Sequence, residues 1–265
     1  MKLFDSHCHL DDKSFEKDMD AVLNRADEAG VKKIMLVGIT EKNSGQLIKM
    51  AENKPVFYTS VGIHPHDAAS CSETAITNLK KLADNPVVKA WGETGLDFNR
   101  MFSPQEVQEK WFSRQIESAV ELNLPLIFHE RESNGRFLDI VKSYCSKIPL
   151  NGVVHCFSGN HDEMKAYLDL GLYIGVTGIL TIKSRGKDLR DYVKDIPADR
   201  LLVETDAPYL TPAPQKNKTR RNEPAFVKST LLRLAEVRGE TPEALAAQIW
   251  ENTCRFYSID DTEGV

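Results

Sequence analysis

Short apolar runs alternate along the chain with longer amphipathic stretches. Eight runs, Lys2–His7, Lys33–Ile39, Val56–Ile63, Val87–Glu93, Leu124–His129, Gly152–Cys156, Leu172–Val176 and Leu201–Asp206, are rich in Val, Ile, Leu and Phe and show little polar alternation. Strands buried on both faces read this way. The stretches between them carry helix start and stop signals. Ser103-Pro104-Gln105-Glu106 reads as a capping box with Pro at the first helical position, opening a helix that runs to about Asn123. Asn160 and Glu163 repeat the box before a helix ending near Gly171, Thr241-Pro242 opens another, and Gly30 sits where the first helix stops. Repeated strand-helix-strand units imply parallel pairing through right-handed crossovers. Eight such units in 265 residues predict a closed (β/α)8 TIM barrel, one α/β domain over 1–265 with a helical tail at about 241–259. A doubly wound open sheet is the competitor, but no GxGxxG follows the first run.

Composition narrows the class. The chain is 41% hydrophobic and 28% charged, ordinary for a soluble protein. Lys plus Arg is 34 and Asp plus Glu 39, a net charge of 34 − 39 = −5. Such a chain is not a bulk nucleic-acid coat, so contact with nucleic acid requires a local basic patch. No apolar run reaches the ~18 residues of a membrane helix. The opening MKLFDSHCHL meets Asp5 and His7 too early for a signal peptide. Five cysteines, Cys8, Cys71, Cys145, Cys156 and Cys254, form no CxxC pair, which fits a reducing cytoplasm. No membrane association and no protein partner are expected.

Six of the seven histidines fall at or just past the C-terminal end of a predicted strand: His7 and His9 on the first, His64 and His66 on the third, His129 on the fifth, His155 on the sixth. Glu93 ends the fourth, and Glu204 and Asp206 end the eighth. In a barrel these ends open on one face, where barrel active sites lie. His7 and His9, spaced i, i+2, project from the same side of an extended strand. Two imidazoles with carboxylates suit a divalent cation. A lone His-x-His reads as a chance surface pair. Its agreement with His129, His155, Glu93 and Asp206 at matching strand ends predicts a metal site instead.

The other polar residues carry paired readings. Glu204 shares the face of Asp206 and either orients a metal ligand or makes an interior ion pair. Asp97 either orients a neighbour or caps a turn. His66 reads as a loop histidine, His161 as an exposed and inert one, and Cys8 and Cys156 as packing. The loop Pro212–Arg221 contains Lys216, Lys218, Arg220 and Arg221 and no acid. Directly after the eighth strand, it suits phosphate. Of Trp91, Phe98, Phe102, Phe157 and Tyr209, one or two can stack a base, with core packing the default for Trp91.

Seven motifs, taken in order, carry a resemblance. They are His7-Cys8-His9, Gly62-Ile63-His64-Pro65, Gly92-Glu93-Thr94-Gly95-Leu96-Asp97, His129 with Arg131, His155-Cys156-Phe157-Ser158-Gly159, Glu204-Thr205-Asp206-Ala207-Pro208-Tyr209 and Arg221-Asn222-Glu223-Pro224. Together, from about residue 3 to about residue 257, they resemble the TatD family of metal-dependent deoxyribonucleases in the amidohydrolase superfamily. The resemblance implies a (β/α)8 barrel holding two divalent ions (Mg, Mn or Zn) and hydrolysing DNA phosphodiester bonds, with single-stranded or frayed 3′ ends favoured and a place in DNA repair. It assigns His7, His9, Glu93 and Asp206 to one metal, and makes Glu93 a bridge to a second held by His129 and His155. Where many members have Arg-Asp-Ala after the fifth strand, this chain has Arg131-Glu132-Ser133.

Chemistry then distributes the roles. A carboxylate has two oxygens with which to bridge cations, as Glu93 would. Asp206 can ligate and also accept a proton from water, as the general base. With six ligands filling two sites, His64 is assigned to phosphate, and Arg131, Arg220 and Arg221 are expected to bind substrate. The alternative is a hydrolase of the same superfamily acting on a small amide, ester or lactone. Those enzymes often bridge their metals with a carbamylated Lys at the fourth strand end, where this chain has Glu93. A non-catalytic metal- or nucleic-acid-binding protein is a third reading, and one that needs no base.

Overall fold

Eight parallel strands follow one another in chain order within one sheet. The computed structural model describes residues 1–260. Its strands are β1 (Leu3–Cys8), β2 (Val31–Leu36), β3 (Phe57–Val61), β4 (Val88–Asp97), β5 (Leu126–Arg131), β6 (Gly152–Val154), β7 (Tyr173–Val176) and β8 (Leu201–Val203). Its helices are α1 (Met19–Ala29), α2 (Glu41–Glu52), α3 (Glu73–Ala83), α4 (Gln105–Glu121), α5 (Arg136–Cys145), α6 (His161–Asp169), α7 (Lys187–Tyr192), α8 (Val227–Arg238) and α9 (Pro242–Tyr257). Every apolar run of the sequence lands on a strand, and the order is that of a (β/α)8 TIM barrel. Residues 261–265 of the expected domain lie outside the described ones. Among the described residues no helix is long and apolar enough to cross a membrane.

The chain packs as two compact units, Met1–Leu36 with Cys156–His161 and Ile174 onward, and Val37–His155 with Asp162–Tyr173. In the first unit the start and the end of the chain meet. β1 pairs with β2, and past its end Cys8 bridges Ala207 in parallel. The Asp206 amide donates to His7 O at 2.9 Å and the His9 amide to Ala207 O at 2.8 Å. Beneath this seam the fully buried Asp5 carboxyl accepts the Thr205 amide at 2.8 Å and the Thr205 hydroxyl at 2.5 Å. α9 covers β1: Phe4 meets Trp250 and Tyr257 at ring distances of 6.0 and 5.9 Å, and the Tyr257 hydroxyl donates to Ser6 O. Thr241 caps α9 through the Ala244 amide and Pro242 takes the first position, as the sequence predicts. Gly30 ends α1 at φ 97°, where a Cβ would stand 2.3 Å from Met1 O.

In the second unit β3 pairs with β4, β4 with β5 and β5 with β6, all parallel. β4 runs four residues past the expected end, so Glu93 lies within the strand and Asp97 ends it. The ladder to β5 shifts register between Trp91 and Thr94. Gly95, at φ 151°, pairs with His129, and a Cβ there would lie 1.9 Å from His129 O, so the strands approach closely only with glycine. Phe112 of α4, Phe128 of β5 and Phe137 of α5 pack together at 5.3–5.8 Å behind the sheet.

The expected capping box of α4 does not form. Pro104 is the cap position, and no side chain caps it. The Ser103 hydroxyl, buried, instead donates to His66 O and accepts the Ala69 amide, both at 2.9 Å. Two backbone groups of the loop after β3 thus hold the hydroxyl that a local rule gives to the helix.

Burial lifts the Asp5 carboxyl to about 8, against the hydrogen bonds from Thr205 that favour its charge. The folded chain therefore keeps a proton that the unfolded chain releases near the ordinary aspartate value. Between about pH 4 and about pH 8 this site binds more protons when folded, so its contribution to stability falls as pH rises through that window. Urea unfolding across this range is expected to show Asp5→Asn less sensitive to pH than the native chain; an equal slope would remove Asp5 as its source.

Candidate functional site

The first unit brings three donor atoms together. His7, in β1, and His9, just beyond it, put their Nε2 atoms 3.2 Å apart. Asp206 Oδ1, past the end of β8, lies 3.8 Å from the first and 3.5 Å from the second. The i, i+2 spacing aims both rings to one side, and the seam between β1 and Asp206 delivers the carboxylate. Donors bound at about 2.1 Å around one cation stand roughly 3.0–3.4 Å apart at octahedral or tetrahedral angles. The contacts to Asp206 are longer than charge-assisted hydrogen bonds and near that ligand spacing. Two imidazoles and a carboxylate suit a borderline divalent cation, so the residues fit a metal.

Glu204, just past the end of β8 and two residues before Asp206, itself offers a possible ligand atom near His7. It is buried, its carboxylate accepts the Cys156 amide at 2.5 Å, and Ser6 Oγ lies 3.4 Å from it. That amide belongs to the residue after His155. Cys8 is fully buried, as expected of packing.

The second unit gathers imidazoles around one oxygen. Glu93 Oε1 lies 2.6 Å from His129 Nδ1, 3.1 Å from His155 Nε2 and 3.4 Å from His64 Nε2. Burial opposes a charge on Glu93, yet the neighbouring imidazoles, His155 foremost, hold its carboxyl well below the usual range. His129 Nε2 faces Asp97 Oδ2 at 3.3 Å. Burial works against a proton on His129, but Asp97 and Glu93 outweigh it and raise the pKa. Each ring nitrogen of His129 thus faces a carboxylate, Nε2 facing Asp97 and Nδ1 facing Glu93; with a proton held at Nε2 by Asp97, loss of the Nδ1 proton would leave that nitrogen available to a cation.

His64 differs from its neighbours. Its Nδ1 accepts the His66 amide at 3.1 Å. A neutral imidazole has one N–H, so Nε2 carries it and is a donor. Burial, the largest influence, pulls its pKa down to about 4 and keeps the ring neutral near pH 7. His64 lies in a group of possible ligands with Glu93 and His129, but this proton suits it to an oxygen acceptor rather than a cation.

Asp97 is the site residue that sequence reasoning left undecided, and it does both things. Oδ1 accepts the Asn99 and Arg100 amides at 3.0 and 2.7 Å, closing the turn. Oδ2 takes His66 Nε2 at 2.7 Å as well as His129. Burial opposes its ionisation, but hydrogen bonds from His129 and His66 hold the carboxyl far below the usual range. His66 is thus tied down rather than a free loop residue. Two glutamines of α4 were missed entirely. Gln108 accepts the Asp97 amide at 2.8 Å and donates to Asp97 O and Ser103 O; Gln115 accepts the Ile63 amide at 2.8 Å and donates to Ile63 O. Gln115 also accepts Trp91 Nε1, and Trp91 is core. Polar residues buried on a helix face toward a sheet were the available signal.

The expected substrate residues divide. Arg131, at the end of β5, and Arg220 are exposed. Arg221 has its guanidinium forked onto Asp18 at 2.7 and 2.6 Å and lies over the Phe15 ring at 4.8 Å. Beside it Arg25 forks onto Glu223 at 2.7 Å through both nitrogens. Asn222, fully buried, donates to Thr205 O and Tyr209 O at 2.9 and 2.7 Å. The stretch Arg221-Asn222-Glu223 is a clasp that returns the loop after β8 to its own start. His161 is not loose either: its ring stacks on Tyr192 at 5.3 Å and Nε2 meets Asp195 at 3.0 Å. The departure at Glu132-Ser133 is accommodated: Ser133 donates to Glu130 and accepts the Phe137 amide at the start of α5, and Glu132 accepts Asn99 Nδ2.

Comparison with known proteins gives concordant matches. A family model described as TatD related DNase matches residues 4–258. The 3′-5′ ssDNA/RNA exonuclease TatD of Salmonella typhimurium is 40% identical over 259 residues, 97% of this chain and 99% of that protein. That of Klebsiella pneumoniae is 42% identical over 260 residues, 97% of this chain and 98% of its own. Among solved structures, the TatD homologue YJJV of Escherichia coli superposes with a TM-score of 0.89 at 30% identity, covering 97% of this chain and 98% of that one.

If Asp97 fixes the His129 proton, Asp97→Asn lowers affinity for Mn²⁺ or Zn²⁺ by about 10–100-fold, read by titration calorimetry. An affinity equal to that of the native chain would confine Asp97 to the turn.

Proposed function

The chain belongs to the TatD related DNase family, and from that premise we propose that it is a divalent-metal-dependent nuclease hydrolysing phosphodiester bonds of single-stranded DNA or RNA from the 3′ end. The observation that carries the reading is the convergence of His7, His9 and Asp206, whose three donor atoms stand 3.2–3.8 Å apart, near ligand spacing. The names of the relatives supply the substrate class and the polarity.

We assign His7, His9 and Asp206 to one cation, which they would hold within the first unit, and Glu93, His129 and His155 to another, which they would hold within the second. Bound Mg²⁺, Mn²⁺ or Zn²⁺ supplies positive charge for the phosphoryl oxygens and makes water acidic enough to ionise near neutral pH. The chain's own groups do the rest. Asp206, partly exposed, accepts the proton of the attacking water. The water oxygen forms the new P–O bond as the bond to the neighbouring sugar oxygen breaks; that oxygen takes a proton from solvent, and Asp206 returns its own to solvent. His64, neutral with its proton on Nε2, donates to a phosphate oxygen, and Arg131 and Arg220 contact phosphates further along the strand. Glu204 holds the Cys156 amide and so steadies the residue after His155. Arg221 serves the same substrate by holding the loop through Asp18. One domain does this work, a reading supported by a family match that runs across both compact units. The cysteine usage, five residues with no CxxC pair, is the ground on which a cytoplasmic location is proposed.

The test is an assay on end-labelled single-stranded, duplex and abasic oligonucleotides across Mg²⁺, Mn²⁺ and Zn²⁺. Metal-dependent shortening from the 3′ end is expected. It should be abolished by chelation and lost by at least about a hundredfold in Glu93→Gln and Asp206→Asn with the fold intact. Turnover of a lactone or ester panel with no cleavage of any oligonucleotide would overturn the proposal.

A further inference from the structure

The loop that follows β8 begins at Asp206, itself a member of the donor group with His7 and His9. Three residues on, Tyr209 is 56% exposed, one of six large apolar or aromatic side chains so placed among the described residues. Its ring stands edge-on to the His9 ring, with centroids 6.3 Å apart and planes at 65°. An exposed aromatic alone needs no explanation. This one has its backbone held at both ends: the amide donates to Asp206 O at 2.8 Å and the carbonyl accepts Asn222 Nδ2 at 2.7 Å. A large π-face is thus fixed beside the metal-binding histidines, and ordering it on contact with a ligand costs little.

Beyond Tyr209 the loop's own charged residues, as far as Asn222, are all basic. From Leu210 to Asn222 the loop contains no acid. The acids packed against its end, Asp18 and Glu223, are matched by Arg221 and Arg25. Lys216, Lys218 and Arg220 remain exposed. The loop after β7 lies alongside, joined through the Ala213 amide to Thr181 Oγ1 at 2.8 Å. A Cβ on Gly178 would lie 2.4 Å from Leu210 O, so the two loops are in direct contact. The second loop presents Lys183 and Arg185, both exposed, and Arg190 stiffens it by donating to Leu180 O, Ile182 O and Lys183 O. A π-face beside a metal-binding histidine, continued by cations on two braced loops, matches the alternation of base and phosphate in a single strand.

We propose that Tyr209 is a stacking platform for a nucleobase of the bound strand and that the loops after β7 and β8 form the track for the adjoining phosphates. The inference deepens the nuclease reading and rests on it. It also gives a physical reason for a single-strand preference, since a base paired within a duplex offers no free face to Tyr209.

The experiment uses the full chain, loaded with Mn²⁺, and a single-stranded oligonucleotide whose last linkages are phosphorothioates, so that it binds without being cut. A 2-aminopurine at the 3′ end reports stacking by fluorescence quenching, and anisotropy reports affinity. Native protein and Tyr209→Phe are expected to quench the probe. Tyr209→Ala and Tyr209→Ser should lose the quench and bind more weakly, by roughly fivefold to a hundredfold. Lys216→Ala with Lys218→Ala should keep the quench but reduce the salt slope of log K by about 0.7 per lost contact. Quenching and affinity in Tyr209→Ala equal to native would overturn the platform, and an unchanged salt slope the track. A native chain that cleaves no unmodified oligonucleotide removes the nuclease reading and this inference with it. One that cleaves while Tyr209→Ala behaves as native removes the inference alone.

Discussion

The seam between the first and last strands is the constraint on which the site depends. Two backbone hydrogen bonds, Asp206 N–H to His7 O and His9 N–H to Ala207 O, join segments about 200 residues apart in sequence. They place the Asp206 carboxylate beside the two imidazoles of His-x-His. Neither the spacing of the histidines nor the presence of the aspartate brings the three together without this pairing. Asp5 and Thr205 reinforce it from below with two buried hydrogen bonds. α9, packed on β1 through Trp250 and Tyr257, covers the same strand, so the last helix of the chain serves the first strand.

The second donor group is governed by proton placement more than by distance. Several imidazoles crowd around Glu93, and burial would neutralise most of them. Each acquires a defined role from the partner behind it. The His66 amide occupies Nδ1 of His64 and makes Nε2 a donor; Asp97 faces Nε2 of His129 while Glu93 faces its Nδ1. α4 sets this order through Gln108 and Gln115, which fix the backbone of Asp97 and Ile63. The same logic organises the loop after β8. Its clasp of Arg221, Asn222 and Glu223 engages Asp18, Arg25 and the loop's own start, while Arg220 and the lysines stay exposed.

Much of this was legible in the sequence. The eight apolar runs mark the eight strands because strands buried on both faces need continuous hydrophobic residues. The ligands at strand ends were legible because barrel geometry turns sequence position into a shared rim. The second half of β4 was not, since Gly95 and Asp97 are poor strand residues and that segment is held by its pairing with β5. Ser103 looked like a cap because local rules do not register a loop needing its hydroxyl. Arg220 and Arg221 are adjacent and of one type, and partners 203 or more positions away, Asp18 with Phe15 and Ser14, distinguish the braced residue from the exposed one. The two roles of Asp97 could not be separated until His66 and His129 were seen on the same oxygen.

The central claim is that histidines and carboxylates from strands distant in sequence hold divalent cations. Electron paramagnetic resonance of the Mn²⁺-titrated chain, which counts free against bound ions, tests it most directly. The account predicts two ions per chain, one lost when His7 and His9 are replaced by Ala and the other when Glu93 is replaced by Gln. Saturation at fewer than two ions in the native chain, or two ions retained in both variants, would contradict it.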